Sequence, residues 1–394
     1  MDNIVNAPEL EWLKANSVHS TPEGVNTTNK EYLRTWCSIN LLKYVLEGNY
    51  KAFSSCQKEG RITLKSFNEM INWVKNSLRT PELEDAMRAF LVINDLGKIG
   101  DFVEKVKEAT GFESIDHDSI LYEGLKAHPE FSPTFYGLKP EFQELILDAL
   151  EPNFNVAQFI QCESFPANLL PLQKMNDESF NFLMIHALFD IGGAAGHVVP
   201  DGTIIINELY WKKFSYALKN LTALIQKYYE PDDADLYYVC DTQEFYGFHE
   251  YTVLKLCNLM RLTDSIEADK AGKAFKALDS SVKNYIEEEE CHVGINNTAI
   301  LMYYLPATLQ NALSYYKKKD PENAIGKTIS TVIPVIADLF RRVRSEIKVD
   351  KGVIVAFISD VAEAAKDPEN LKSSDFEIRP VGNDFVVFKK EVEK

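Results

Sequence analysis

The chain has 394 residues, 45% of them hydrophobic and 26% charged, with a formal net charge of −17 and a pI near 5.0. This is the composition of a globular chain rather than a disordered one, and no apolar run reaches the roughly 18 residues that span a bilayer. The clustered lysine and arginine of a broad nucleic-acid surface are also missing.

The N-terminal stretch MDNIVNAPELEWLK has neither a basic n-region nor an apolar h-region, so no secretory signal is expected in it. The cysteines Cys37, Cys56, Cys162, Cys240, Cys257 and Cys291 include no CxxC pair, which fits reduced, mostly buried thiols and a cytoplasmic location.

Residues 1–30 are polar, with Ser20-Thr21-Pro22-Glu23-Gly24 and Asn26-Thr27-Thr28-Asn29, and read as a loosely structured entry. Helical periodicity begins near Lys30, carried by Leu33, Trp36, Cys37, Ile39, Leu41, Leu42 and Val45. A second helix is marked by Ile71, Trp73, Val74 and Leu78. Thr80-Pro81-Glu82-Leu83-Glu84 supplies an N-cap, a first-turn proline and early acidic residues. It opens the helix that ends in Asn94-Asp95-Leu96-Gly97-Lys98.

Further helices are predicted at about 102–110, 117–127, 139–150, 177–190, 207–229, 248–264, 268–289, 298–318 and 325–346. The turn Val199-Pro200-Asp201-Gly202 precedes a strand-like Thr203-Ile204-Ile205-Ile206, which reads as a small hairpin or as a loop over the bundle. After residue 347, Gly352–Phe357 and Asp384–Phe388 read as short strands around a helix at 359–365. The expectation is a mainly α protein: a loose segment 1–30, a helical domain 31–346 and a small α+β C-terminal appendage 347–394.

Asn94-Asp95-Leu96-Gly97-Lys98 sets a carboxylate and an ammonium beside one tight turn, where metal and phosphate can meet. His117, in Asp116-His117-Asp118, stands where either neighbouring carboxylate can orient the imidazole; the alternative is a helix-capping cluster at a surface turn. His186 and Asp190 are four apart and share a helix face, followed by the small residues Gly192, Gly193, Ala194, Ala195 and Gly196 ahead of His197. That segment reads equally as a site lining or as a close helix crossing with a satisfied core histidine. Asp264 follows the apolar stripe Leu256, Leu259 and Met260. The run Glu287–Glu290 reads as a solvated helix end, and Lys317–Lys319 with Arg341, Arg342 and Arg344 as modest basic groups.

Together these elements resemble the HD-domain superfamily of helical metal-dependent phosphohydrolases, over about residues 35–270. Asn94-Asp95-Leu96-Gly97-Lys98 is similar to the family's His-Asp-(Ile/Leu)-Gly-Lys, and Leu259-Met260-Arg261-Leu262-Thr263-Asp264 to its closing Leu-x-x-Ala-Asp. His117-Asp118 also resembles the His-Asp of myo-inositol oxygenase, a di-iron branch of that fold. The resemblance implies an HD-like helical bundle with Asp95, His117, His186 or His197, and Asp264 as metal ligands. Asp95 and Lys98 would be catalytic, and Asn94, Lys98 and Asp190 would contact substrate.

Asn94 stands where the family has histidine, and no histidine lies between His19 and His117. The remaining donors suit one Mg²⁺, Mn²⁺ or Fe²⁺ rather than a bimetallic centre. The resemblance therefore implies a divergent metal-dependent hydrolase of a small phosphorylated or nucleotide substrate. The alternatives are a catalytically degenerate HD-like fold that binds a ligand or a protein, and an iron-dependent oxygenase. Asp95, His117 and Asp264 are expected to converge in one pocket, with His186 or His197 on its wall.

Overall fold

The computed structural model describes residues 6–15, 30–114, 116–291, 293–347, 352–381 and 384–390. His19 and His292 lie outside these, as do 1–5 and 16–29 of the segment expected to be loose. The chain is mainly helical, with a four-stranded sheet built from its C-terminal part. It divides into two compact units: Met1–Val156 with Lys174–Leu218, and Ala157–Gln173 with Lys219–Lys394. Among the described residues no helix is long and apolar enough to cross a membrane.

The first unit is built on the helices Lys30–Glu47, Pro81–Ile93 and Asp177–Gly193. Thr80 caps the second of these, its Oγ1 accepting from the Leu83 amide at 3.2 Å, as the Thr-Pro start predicts. From Ala89 to Ile93 every side chain of that helix is buried. The first and third helices meet through small residues. A Cβ on Gly193 would lie 2.0 Å from Ser38 Oγ and 2.6 Å from the Arg34 carbonyl, so only glycine allows that approach.

Order also reaches further toward the N-terminus than the polar composition suggests. Pro8–Ala15 form a helix with Leu10 and Leu13 buried. Its buried Glu9 accepts from Ser132 Oγ at 2.5 Å, the Thr134 amide at 2.8 Å and Thr134 Oγ1 at 2.5 Å, which compensates its lost hydration. Of the two readings of Thr203–Ile206 the loop is the one present: Ile204–Ile206 form bends, with Thr203 Oγ1 donating to the Gly192 carbonyl at 3.0 Å.

In the second unit β1 (Thr298–Tyr303), β2 (Gly352–Phe357), β3 (Phe376–Val381) and β4 (Asp384–Lys389) pair in the order β1-β2-β4-β3. β1 is parallel to β2, with Thr298 opposite Gly352 and Tyr303 opposite Phe357; β2 is parallel to β4, and β3 and β4 are antiparallel. The parallel β1–β2 pair needs a long crossover, supplied by the helices Leu305–Lys319 and Ala324–Glu346. Sheet and helices are thus one unit, where the sequence suggested an appendage beginning at 347. Residues 298–303, expected to start a helix, are its first strand.

The acidic run at 287–290 also differs from expectation. Glu289 and Glu290 are buried, Glu289 paired with Arg344, and Glu290 3.5 Å from the buried Lys255 ammonium. Arg344 Nη1 also donates to the Thr298 carbonyl at 2.8 Å, and Arg342 donates to the Ser373 and Phe376 carbonyls at 2.7 and 2.8 Å. These arginines tie helix to sheet and are not free for an anion.

The glycine crossing gives a direct test. Gly193→Ala forces overlap with backbone and is expected to destabilise by about 1–3 kcal/mol. Gly326→Ala, in a helix where a Cβ meets nothing within 4 Å, is expected to raise stability slightly. Thermal denaturation of both variants checks the contrast; equal melting points would contradict the close crossing.

Candidate functional site

The site of interest lies in the first unit and starts from the end of the helix Pro81–Ile93. The Asn94 amide still donates to the Phe90 carbonyl at 3.1 Å, and a short 3₁₀ turn, Leu96–Lys98, then closes with the Lys98 amide on the Asp95 carbonyl at 3.0 Å. Side chains three apart on such a turn lie on one side. Lys98 Nζ accordingly sits 2.5 Å from Asp95 Oδ1. Gly97 lets this turn lie against the start of the helix His117–Ala127: a Cβ there would fall 2.0 Å from the His117 carbonyl oxygen.

Two further helices complete the cluster. Lys30–Glu47 contributes Glu31 from its first turn and Arg34 from the start of its second. Arg34 Nη1 lies 3.0 and 3.1 Å from the Glu31 carboxylate oxygens, and Lys98 Nζ lies 3.5 Å from Glu31 Oε2. Asp177–Gly193 contributes His186 and Asp190, with Asn94 Nδ2 donating to Asp190 Oδ1 at 3.0 Å. His186 stacks on Phe90 with ring centroids 3.7 Å apart, and its buried Nε2 has no hydrogen-bond partner among the described residues.

At the start of His117–Ala127, Asp116 is the N-cap, its Oδ2 accepting from the Ser119 amide at 2.9 Å and Oγ at 2.5 Å. His117 Nε2 lies 3.3 Å from Asp118 Oδ1. The triad is both a helix cap and a donor cluster: Asp116, His117 and Asp118 each offer one ligand atom, all within 4.8 Å of one another, and could hold a metal ion. Carboxylate oxygen with imidazole nitrogen suits Mn²⁺, Fe²⁺ or Mg²⁺.

The electrostatics follow from this packing. Burial opposes ionisation of Asp95, which is 3% exposed, but Lys98, Arg34 and His117 outweigh it and hold the carboxyl well below the usual range. Burial would also lower the Lys98 ammonium, yet Asp95 and Glu31 prevail and raise it. Desolvation pushes Asp118 up to about 6, helped by Asp116 and opposed by His117 and Lys98. His186 moves the other way: burial takes it down to about 4 against the pull of Asp190 and Asp95.

Of the residues singled out in the sequence, Asn94, Asp95, Lys98, His117, His186 and Asp190 therefore belong to one network. His197 is exposed. Asp264 belongs to the second unit, where it is the exposed N-cap of Ser265–Lys276 and its Oδ1 accepts from the Ile266 and Glu267 amides at 2.9 Å. The late carboxylate set beside Asn94 is Asp190. Glu31 and Arg34 were not singled out, because nothing local in the helix Lys30–Glu47 marks which distant groups its polar positions meet.

A mainly helical protein with a C-terminal four-stranded sheet and a four-segment charged cluster capable of holding a metal ion is the class these features define. The chain belongs to the family described as "Family of unknown function (DUF6829)", whose model matches residues 25–380. No curated protein and no solved structure matches it.

A prediction follows from His186. Its folded-state pKa lies below the ordinary 6.5, so the unfolded chain binds more protons in between. Its contribution to stability is full above about pH 6.5 and falls as the pH drops toward about 4, by up to about 3 kcal/mol. The wild-type-minus-His186→Phe difference in denaturation free energy, measured from pH 7 to 4, should shrink on acidification; a flat difference would contradict the neutral buried imidazole.

Proposed function

We propose that the first unit is a divergent HD-type domain, and that its charged cluster is the site of a metal-dependent hydrolase acting on a small phosphorylated or nucleotide substrate. The supporting observation is convergence. Four segments of the chain bring five carboxylates (Glu31, Asp95, Asp116, Asp118, Asp190) against two cations, Arg34 and Lys98, together with a buried imidazole nitrogen that has no hydrogen-bond partner among the described residues. That surplus of negative charge calls for a cation.

His117 and Asp118, with Asp116 beside them, would hold the metal, which when bound polarises a phosphoryl oxygen and lowers the pKa of a water. Asp95 is not the first choice of ligand, because its carboxylate already accepts from Lys98 at 2.5 Å. Its role in this reading is to hold the Asp95–Lys98 turn against the His117 carbonyl and so fix the imidazole. Arg34, half-buried beside Glu31, offers the remaining guanidinium donors for a phosphate.

A catalytically degenerate binding fold is the second reading, and a specific observation favours it. Asn94 donates to Asp190 and Lys98 pairs with Asp95, so two carboxylates are satisfied by the protein itself. The iron-oxygenase reading rests on His117-Asp118 alone and asks for four histidines, whereas the cluster gathers His117 and His186.

Calorimetric titration with Mn²⁺ separates the first two readings. The hydrolase reading expects about one equivalent bound, binding weakened about 10–100-fold in His117→Ala and Asp118→Asn, and phosphate release from a nucleoside phosphate lost in the same variants. No uptake of metal, with an unchanged melting point on adding Mn²⁺, would overturn it in favour of the degenerate fold.

A further inference from the structure

The second unit carries a surface with a different character. From Tyr228 to Tyr251 the sequence has seven carboxylates, six tyrosines and no lysine or arginine. Its central helix is Pro231–Asp241. Inward positions Ala234, Asp235, Tyr238 and Val239 are buried, with Asp235 accepting from Tyr251 Oη at 2.7 Å. The outward positions are Asp232, Asp233, Leu236 and Tyr237, two pairs spaced four apart and hence a single stripe.

That stripe is apolar as well as acidic. Leu236 and Tyr237 are each 44% exposed, and Tyr228, in the turn before the helix, is 77% exposed. Tyr229 packs its ring on Tyr237 at 4.9 Å, which extends the apolar surface back toward Tyr228. Glu230, Asp232 and Asp233 rim it. Acidic residues in a first helical turn have a local explanation in the helix dipole, but that does not account for large side chains held in water beside them.

Among the described residues no ion pair engages Glu230, Asp232 or Asp233. The nearest cations along the chain are Lys219, already 3.0 Å from Asp241, and Lys227. Tyrosine faces attract ammonium and guanidinium groups, and the methylene stems of lysine and arginine cover apolar side chains while their heads reach carboxylates. A segment with both properties matches every feature of the stripe.

We infer that the face formed by Tyr228, Tyr229, Glu230, Asp232, Asp233, Leu236 and Tyr237 docks a basic amphipathic peptide segment of a partner protein. The apolar strip takes the segment's aliphatic side chains, and the acidic rim sets its register and speeds encounter.

Fluorescence anisotropy on the full chain, with a labelled 14-residue peptide of lysine and leucine at physiological salt, tests this. The double variant Leu236→Ser/Tyr237→Ser leaves the charge unchanged and is expected to weaken binding about tenfold or more. Asp232→Lys/Asp233→Lys should remove it. Asp101→Lys/Glu104→Lys, at exposed positions of the helix Gly100–Thr110, makes the same charge change away from the face and should leave affinity within about twofold.

Equal weakening in the control and the face variants would overturn the proposal in favour of diffuse attraction to an acidic protein, as would indifference to the serine variant or no binding at all. Self-association of the wild type that the serine variant abolishes, without specific peptide binding, would assign the face to a second copy of the chain instead.

Discussion

An ionised carboxylate taken out of water must find compensation nearby, and in the first unit that constraint falls on Asp95. Only cations and donors held close to it can offset its desolvation. Lys98 reaches it from the following 3₁₀ turn, Arg34 adds its field from the helix Lys30–Glu47, and His117 does so from the helix that Gly97 allows to lie close. The glycine crossing at Gly193, the buried face of Pro81–Ile93 and the cap at Asp116 all serve to bring those groups together. Beside Asp95, the residues Asp116, His117 and Asp118 form the donor cluster that could hold a metal ion.

Much of this was legible because it is local. The Thr80-Pro81 start, the Asp95–Lys98 spacing, the His186–Asp190 face and the small residues after it all follow from turn and helix geometry, and each is present. What sequence could not supply was which distant groups meet. Asp264 and Asp190 both follow apolar helical stripes, yet Asp264 caps its own helix in the second unit while Asp190 faces Asn94. Glu31 and Arg34 carry no local signal of their role, since their partners Lys98 and Asp95 lie some sixty residues on.

The second unit shows the same limit in another form. Strand β1 is an apolar run that fits a buried strand or a buried helix equally well, and only its parallel pairing with β2, some fifty residues on, decides between them. Four consecutive glutamates normally mark a solvated helix end. Here Glu289 and Glu290 turn inward because Arg344 and Lys255 arrive from other helices to meet them. The helix Pro231–Asp241 escaped periodicity because its outward stripe carries Leu236 and Tyr237, which blur the contrast between faces.

The central claim is that Asp95 is held ionised by Lys98 within a dehydrated junction, so a double-mutant cycle on that pair is the most direct measurement. Denaturant unfolding of Lys98→Met should show a loss of about 3–5 kcal/mol, because the carboxylate is left buried without its cation. Lys98→Met/Asp95→Asn should recover part of that loss, giving a coupling well above the roughly 1 kcal/mol of a surface pair. Single variants whose effects simply add, each under about 1 kcal/mol, would contradict the account and place the pair in water.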